Sequence, residues 1–186
     1  MEWMPDLQMG WLNGWIPLVL LALTEGVLFL IFPREVVARL FDRSGWTQQQ
    51  IVFTVLGKLC ALACLVLLVM TPLKVGTAVF LIGMVIVVLG LTGLAIALFD
   101  FKNTPLDQPV VHGLYTISRH PQIVMASVAL LGGCIAIGSW PALLLLLAAR
   151  GLSHFGILAE EEVCLQQYGD AYRAYMKQVP RYFLFF

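Results

Sequence analysis

Long apolar runs alternate with short polar connectors along most of this chain, and the runs have membrane-crossing length. Five stand out: Trp15 to Phe32, Ile51 to Thr71, Thr77 to Phe99, Gln122 to Gly138, and Pro141 to Leu158. A helix crossing the hydrocarbon core of a bilayer needs roughly 17–25 residues. Each run is predicted to be a helix, because inside lipid only helices and closed barrels satisfy their own backbone groups. Only Ser139, Trp140 and Pro141 separate the last two runs, so these should form a tight antiparallel hairpin. Pro141 suits the first turn of the fifth helix, where no backbone donor is lost.

Composition sharpens this picture. Apolar residues make up 60% of the 186 and charged residues 12%, against roughly 45–50% and about 25% in soluble domains. The fold class is therefore an all-α integral membrane protein. It has about five transmembrane helices, a C-terminal helical hairpin and a cytoplasmic amphipathic helix over Val163 to Met176. The whole chain, 1–186, forms one membrane domain. Residues 1–100 supply three helices, and residues 101–186 a polar loop, the hairpin and the C-terminal helix. The first segment carries Glu2 and Asp6 and no basic stretch, so it does not read as a cleaved signal.

Charge sets the orientation. The connectors 33–50 and 100–120 and the tail after 159 hold Arg34, Arg39, Arg43, Lys102, Arg119, Arg173, Lys177 and Arg181. The opposite side holds Lys74 alone. Eight against one places the N-terminus outside and the C-terminus in the cytoplasm, in a prokaryotic inner membrane or an endomembrane. With 11 basic and 11 acidic residues the net charge is zero, and nothing favours nucleic acid. The four cysteines read as small buried residues, with neither a disulfide framework nor a metal site.

Charges inside the runs are costly and tend to be functional. Glu25 lies eight residues from Pro33, Lys58 eight from Gln50 and Arg150 eight from Leu158, all at the cytoplasmic side, roughly 12 Å deep at 1.5 Å per residue. Glu25 and Lys58 are expected to pair between the first two helices. Arg150 has no matching carboxylate. His154 follows it one turn nearer the cytoplasm on the same face. This Arg–His pair points to a water-accessible pocket for something anionic.

The polar loop ends in Gly113-x-Tyr115-x-x-x-Arg119-His120-Pro121, and Pro121 opens the fourth long helix. Free backbone donors at that helix start, with Arg119 and His120 beside them, suit a carboxylate. Beyond the hairpin come Glu160, Glu161 and Glu162, then Tyr168-Gly169, Tyr172, Tyr175 and Val179-Pro180-Arg181. The hairpin should bring the two polar ends together.

Over roughly residues 104–181 this ordered pattern resembles the isoprenylcysteine carboxyl methyltransferase and phospholipid methyltransferase superfamily. The resemblance implies S-adenosylmethionine as methyl donor, bound at the cytoplasmic end of the hairpin by Gly113, Tyr115, Arg119, His120, Pro121, Glu161 and Glu162. It also implies a lipophilic or small apolar acceptor, with a carboxylate, amine or thiol as the methylated group, arriving among the membrane lipids. Arg150 and His154 are the candidate catalytic residues, and Glu160 is expected at the outer edge of the acidic cluster. The chain departs from the superfamily at Ile123 and Met125, where Tyr and Gly are usual, and at Gly156 and Ile157, where an Arg is common. These departures bear on pocket shape, and so on the acceptor rather than the cofactor. The alternatives are a sterol-reductase-like oxidoreductase, for which the short loops leave little room, and a non-catalytic membrane protein that retains the hairpin.

Overall fold

The computed structural model describes residues 1–41 and 46–183; Arg43, counted above for orientation, lies outside them. Among the described residues there are six α-helices: α1 (Trp15–Ile31), α2 (Arg34–Leu40), α3 (Gln48–Met70), α4 (Ala78–Lys102), α5 (Pro121–Ala136) and α6 (Trp140–Gln178). Three of them, α3, α4 and α6, are long and apolar enough to cross a membrane. α1 and α5 are apolar but shorter, at 17 and 16 residues. The chain is an all-helical integral membrane protein.

Local chemistry sets the helix starts. Thr47 caps α3 in a reciprocal capping box with Gln50, which satisfies two otherwise orphaned backbone donors. The hydroxyls of Thr77 and Ser139 accept from the backbone N–H of Phe80 and Ala142 at the starts of α4 and α6. A short helix, α2, occupies part of the segment expected to be a loop.

The helices pair as α4 with α5 and α3 with α6. α4 and α5 approach closely because small residues face each other. A Cβ added at Gly90 would lie 2.4 Å from the Ala129 nitrogen, and one at Gly83 would lie 2.5 Å from that of Ala136. In lipid, where apolar burial drives little association, such backbone proximity is what holds helices together. The α5–α6 connection is tight, as expected, but its two helices share few contacts along their lengths. Each packs on a different neighbour, and the space between them becomes cavity.

Pairing by depth fails for Glu25 and Lys58, between which there is no ion pair among the described residues. Lys58 lies exposed on α3, while Glu25 of α1 faces a cavity. α1 lies mainly against α4 and α5, so equal height does not bring the two charges together.

α6 runs unbroken through the three glutamates. The stretch expected as a separate surface helix continues it as far as Gly169, where φ is +56° and ψ −126°. A side chain there would be strained, and glycine is not. The kink folds the last turns back over the polar end of the bundle and buries Tyr172 and Tyr175. At the opposite end, residues 1–14 form a strap. The Glu2 N–H donates to the Gly138 carbonyl, the Trp140 N–H to that of Glu2, and the Gln8 N–H to that of Met70.

Candidate functional site

The polar end is organised around one buried carboxylate. Glu161 is only 3% exposed, and its Oε1 accepts from Arg119 Nε at 2.7 Å. Arg181 approaches from the returning tail, with Nη2 2.8 Å from Oε2 and Nε 3.1 Å from both oxygens. His120 Nε2 lies 3.3 Å from Oε1. Glu161 sits just past the apolar stretch of α6, which ends at Leu158. Burial opposes its charge, but the bonds from His120, Arg181 and Arg119 outweigh burial and hold the carboxyl well below the usual range.

Arg119 also ties down the tail. Its Nη1 donates to the carbonyls of Met176 (3.0 Å) and Val179 (2.8 Å), and its backbone N–H donates to the Pro180 carbonyl at 3.0 Å. Ser118 Oγ donates to the Arg181 carbonyl, and Tyr175 donates its hydroxyl proton to the Tyr115 carbonyl at 2.7 Å. Arg119 and Glu161 thus join the start of α5, the end of the apolar part of α6 and the tail.

Beside this cluster lies a narrow cleft of about 120 Å³. Its polar lining includes Arg39, Tyr115, His120, Gln122, Glu160 and Tyr168. Arg39 reaches from α2 to donate to the carbonyls of Pro105 and Gln108 and to the Tyr168 hydroxyl, which fastens the 105–108 loop over the opening. Tyr115 is presented by a 3-10 turn, Gly113–Thr116. Gly113 is required there on two counts: its φ is +59°, and a Cβ would sit 2.0 Å from Asp100 Oδ2. That same oxygen accepts the Leu114 N–H at 2.9 Å. Burial, then Tyr175 and Asp100, push the Tyr115 hydroxyl above its ordinary range, so it stays protonated and donates to Gln122 Oε1.

The cleft shares Leu40, Gln122 and Glu160 with a second, inner cavity of about 400 Å³. This inner space reaches Glu25, Thr54 and Arg150 between otherwise apolar walls. Arg150 and Ser153 in turn border a third space of about 510 Å³ between α5 and α6, where His154 accompanies Tyr182. The three volumes adjoin one another through these shared lining residues.

The model of the phospholipid methyltransferase family matches residues 68–171, more than half of the chain. The chain belongs to the phospholipid methyltransferase family. Neither the curated proteins nor the solved structures contain a significant match. As a member of this family, the protein is a membrane methyltransferase. The matched segment carries Tyr115, Arg119, His120 and all three glutamates, and stops short of Arg181.

The structure brings Tyr115, Arg119, His120 and Glu161 together and places Pro121, fully buried, at the first turn of α5. It sorts the acidic run differently from the sequence reading. Glu162 is exposed and accepts from Gln50 Nε2 at 3.2 Å, away from the cleft. Glu160 lines both the cleft and the inner cavity, with Oε2 3.7 Å from His120 Nδ1. Arg150 borders the inner cavity, with Nη1 3.4 Å from Ser127 Oγ. His154 does not line it; its Nδ1 lies 2.8 Å from the Tyr182 hydroxyl. Arg39, Gln122, Glu160 and Arg181 are the lining and clasp residues that the sequence left unassigned. Gln122 had a signal, because it directly follows the Arg-His-Pro triplet at a helix start.

Proposed function

We propose that the protein transfers a methyl group from S-adenosylmethionine to a lipophilic or small apolar acceptor, with the donor in the cleft and the acceptor in the inner cavity. The observation that carries this reading is that the two spaces adjoin, with Leu40, Gln122 and Glu160 lining both. A polar chamber lies against a mainly apolar one, which suits a polar donor meeting a lipophilic acceptor.

The donor set fits the cofactor. His120 and the start of α5 offer positive character for the methionine carboxylate. Glu160 and Gln122 offer acceptors for the ammonium or the ribose hydroxyls, and Tyr115, Tyr168 and Tyr172 offer ring faces for the base. S-adenosylmethionine, when bound, supplies an already activated methyl group. The protein's own work is then to align acceptor and donor and to exclude water. Glu161 and Arg119 hold the chamber's shape, Glu160 takes the ligand-facing role expected for Glu162, and Arg150 orients the acceptor. The family match supports methyl transfer over the reductase-like alternative. The charge asymmetry supports five spans with the cleft on the cytoplasmic side.

Calorimetry with S-adenosylhomocysteine in nanodiscs tests the reading. Loss of one charge-assisted hydrogen bond costs about 1.5–3 kcal/mol, so Glu160→Gln should weaken binding roughly ten- to hundredfold. Glu162→Gln should change it little. Absence of binding to the wild type at millimolar concentration would refute the proposal.

A further inference from the structure

We propose that residues 1–14 lie flat in the bilayer surface, as a strap whose apolar side chains enter the lipid of the leaflet opposite the cleft. The proposal is independent of the methyltransferase reading. Large apolar side chains crowd the strap: Trp3, Met4, Leu7, Met9, Trp11 and Leu12 are all exposed, Met4 to 93% and Trp11 to 90%. Four of the chain's five tryptophans, Trp3, Trp11, Trp15 and Trp140, belong to this end, while Trp46 lies just before α3 at the other. Trp3 stacks on Trp140 with ring centroids 6.0 Å apart. Tryptophan gathers where a membrane protein meets the boundary between headgroups and acyl chains, because its ring is apolar and its N–H polar.

Helix length sets the depth. α5 starts in the polar cluster and has 16 residues, so it rises roughly 24 Å at 1.5 Å per residue. The hydrocarbon core is about 30 Å thick. The turn after α5, whose Gly138 carbonyl holds the strap, therefore falls short of the far headgroups. Irregular backbone at that depth needs partners from the protein, and the strap has them. Besides the bonds already described, the Leu12 carbonyl accepts from the Leu73 N–H, and the Gly14 N–H donates to the Thr71 carbonyl. Asn13, 1% exposed, donates through Nδ2 to the carbonyls of Gln8 at 2.6 Å and Val69 at 2.9 Å. The backbone bonds to the bundle while the apolar side chains face outward. Charge offers an anionic surface no hold here, since residues 1–14 contain no Lys or Arg and Glu2 pairs with Lys74. The partner that fits is the upper acyl region of the bilayer, met by apolar contact.

The test uses single-tryptophan proteins in nanodiscs, keeping Trp11 or Trp3 and replacing the other tryptophans with Phe. Lipids brominated near the headgroup end or near the methyl end of the acyl chain quench from within the bilayer, and acrylamide quenches from water. Trp11 should lose roughly half of its emission to the shallow bromines and less to the deep ones, with acrylamide quenching roughly threefold below that of free tryptophan. Trp3 should behave alike, and added anionic lipid should change neither. Acrylamide quenching equal to that of free tryptophan, with no effect of the bromines, would place the strap in water and overturn the proposal. Protection from both quenchers would mean that protein covers the strap, and quenching that appears only with anionic lipid would mean that charge holds it; either result also overturns the proposal. If the single-tryptophan proteins do not fold, the wild type decides. Chloramine-T added to the aqueous phase should oxidise Met4 and Met9, mapped by peptide mass, far more slowly in nanodiscs than in the denatured protein. Equal rates would overturn the proposal.

Discussion

Replacing Glu161 with Gln is the most informative perturbation of the polar end. Read from the chain alone, Glu161 is a ligand-binding group whose loss should leave the fold untouched. Its surroundings say otherwise. The carboxylate is 3% exposed and faces Arg119, Arg181 and His120. Glutamine keeps the shape, but it removes the negative charge and turns an N–H₂ toward the guanidinium groups. Removing one partner of a buried ion pair costs about 3–5 kcal/mol, because the remaining charge is left uncompensated. That is a large share of the roughly 5–15 kcal/mol that holds a typical protein folded. The loss should fall first on the tail, since Arg119 and Arg181 bind it to the start of α5. Denaturant titration in detergent should show the stability loss, and limited proteolysis should show faster cleavage beyond Gly169. A Glu161→Gln protein with wild-type stability and a wild-type digestion pattern would refute the reasoning.

Two further outcomes follow from the packing. Gly90→Val should destabilise the α4–α5 pair by about 1–3 kcal/mol, because the new Cβ meets the Ala129 backbone at 2.4 Å; Gly26→Val, with nothing within 4 Å, is the control, and equal melting of the two would count against the close-packed interface. Lys58→Met should change the melting free energy by less than about 0.5 kcal/mol, since Lys58 is exposed; a loss of several kcal/mol would restore the ion pair with Glu25.

The sequence was most legible where a single dimension sufficed. Hydropathy along the chain located the starts of the five apolar helices, and the ends of the first four, to within a few residues, and the hairpin turn put His120 beside Glu161. Only the end of α6, at Gln178 rather than Leu158, lay far beyond its apolar run. What stayed hidden depends on rotation about the helix axis. Three consecutive glutamates point about 100° apart on an α-helix. Glu161 therefore turns into the buried cluster, Glu160 toward the cleft and Glu162 toward Gln50 on α3. No string of letters gives that phase before the neighbours of α6 are known. Glu25 and Lys58 fail as a pair for the same reason, since depth fixes height but not azimuth. Arg39 was hidden because α2 is a seven-residue helix inside an otherwise polar connector, and Arg181 because its partner lies across the Gly169 kink. The separation of α5 from α6 was also beyond reach: a short turn fixes where two helices start, and their other neighbours fix where they go.

The clasp made by Arg119 also has an order in time. Its partners Glu161, Met176 and Val179 lie 42, 57 and 60 positions further along the chain. When Arg119 leaves the ribosome, none of them has been made, and two apolar helices must still be inserted. The guanidinium must wait in water at the membrane surface, and so must the start of α5 that it will anchor. Assembly therefore finishes at the polar end, with the tail folding back as the last step. A chain stalled after α6 has entered the membrane would have its helices in place and its donor chamber still open.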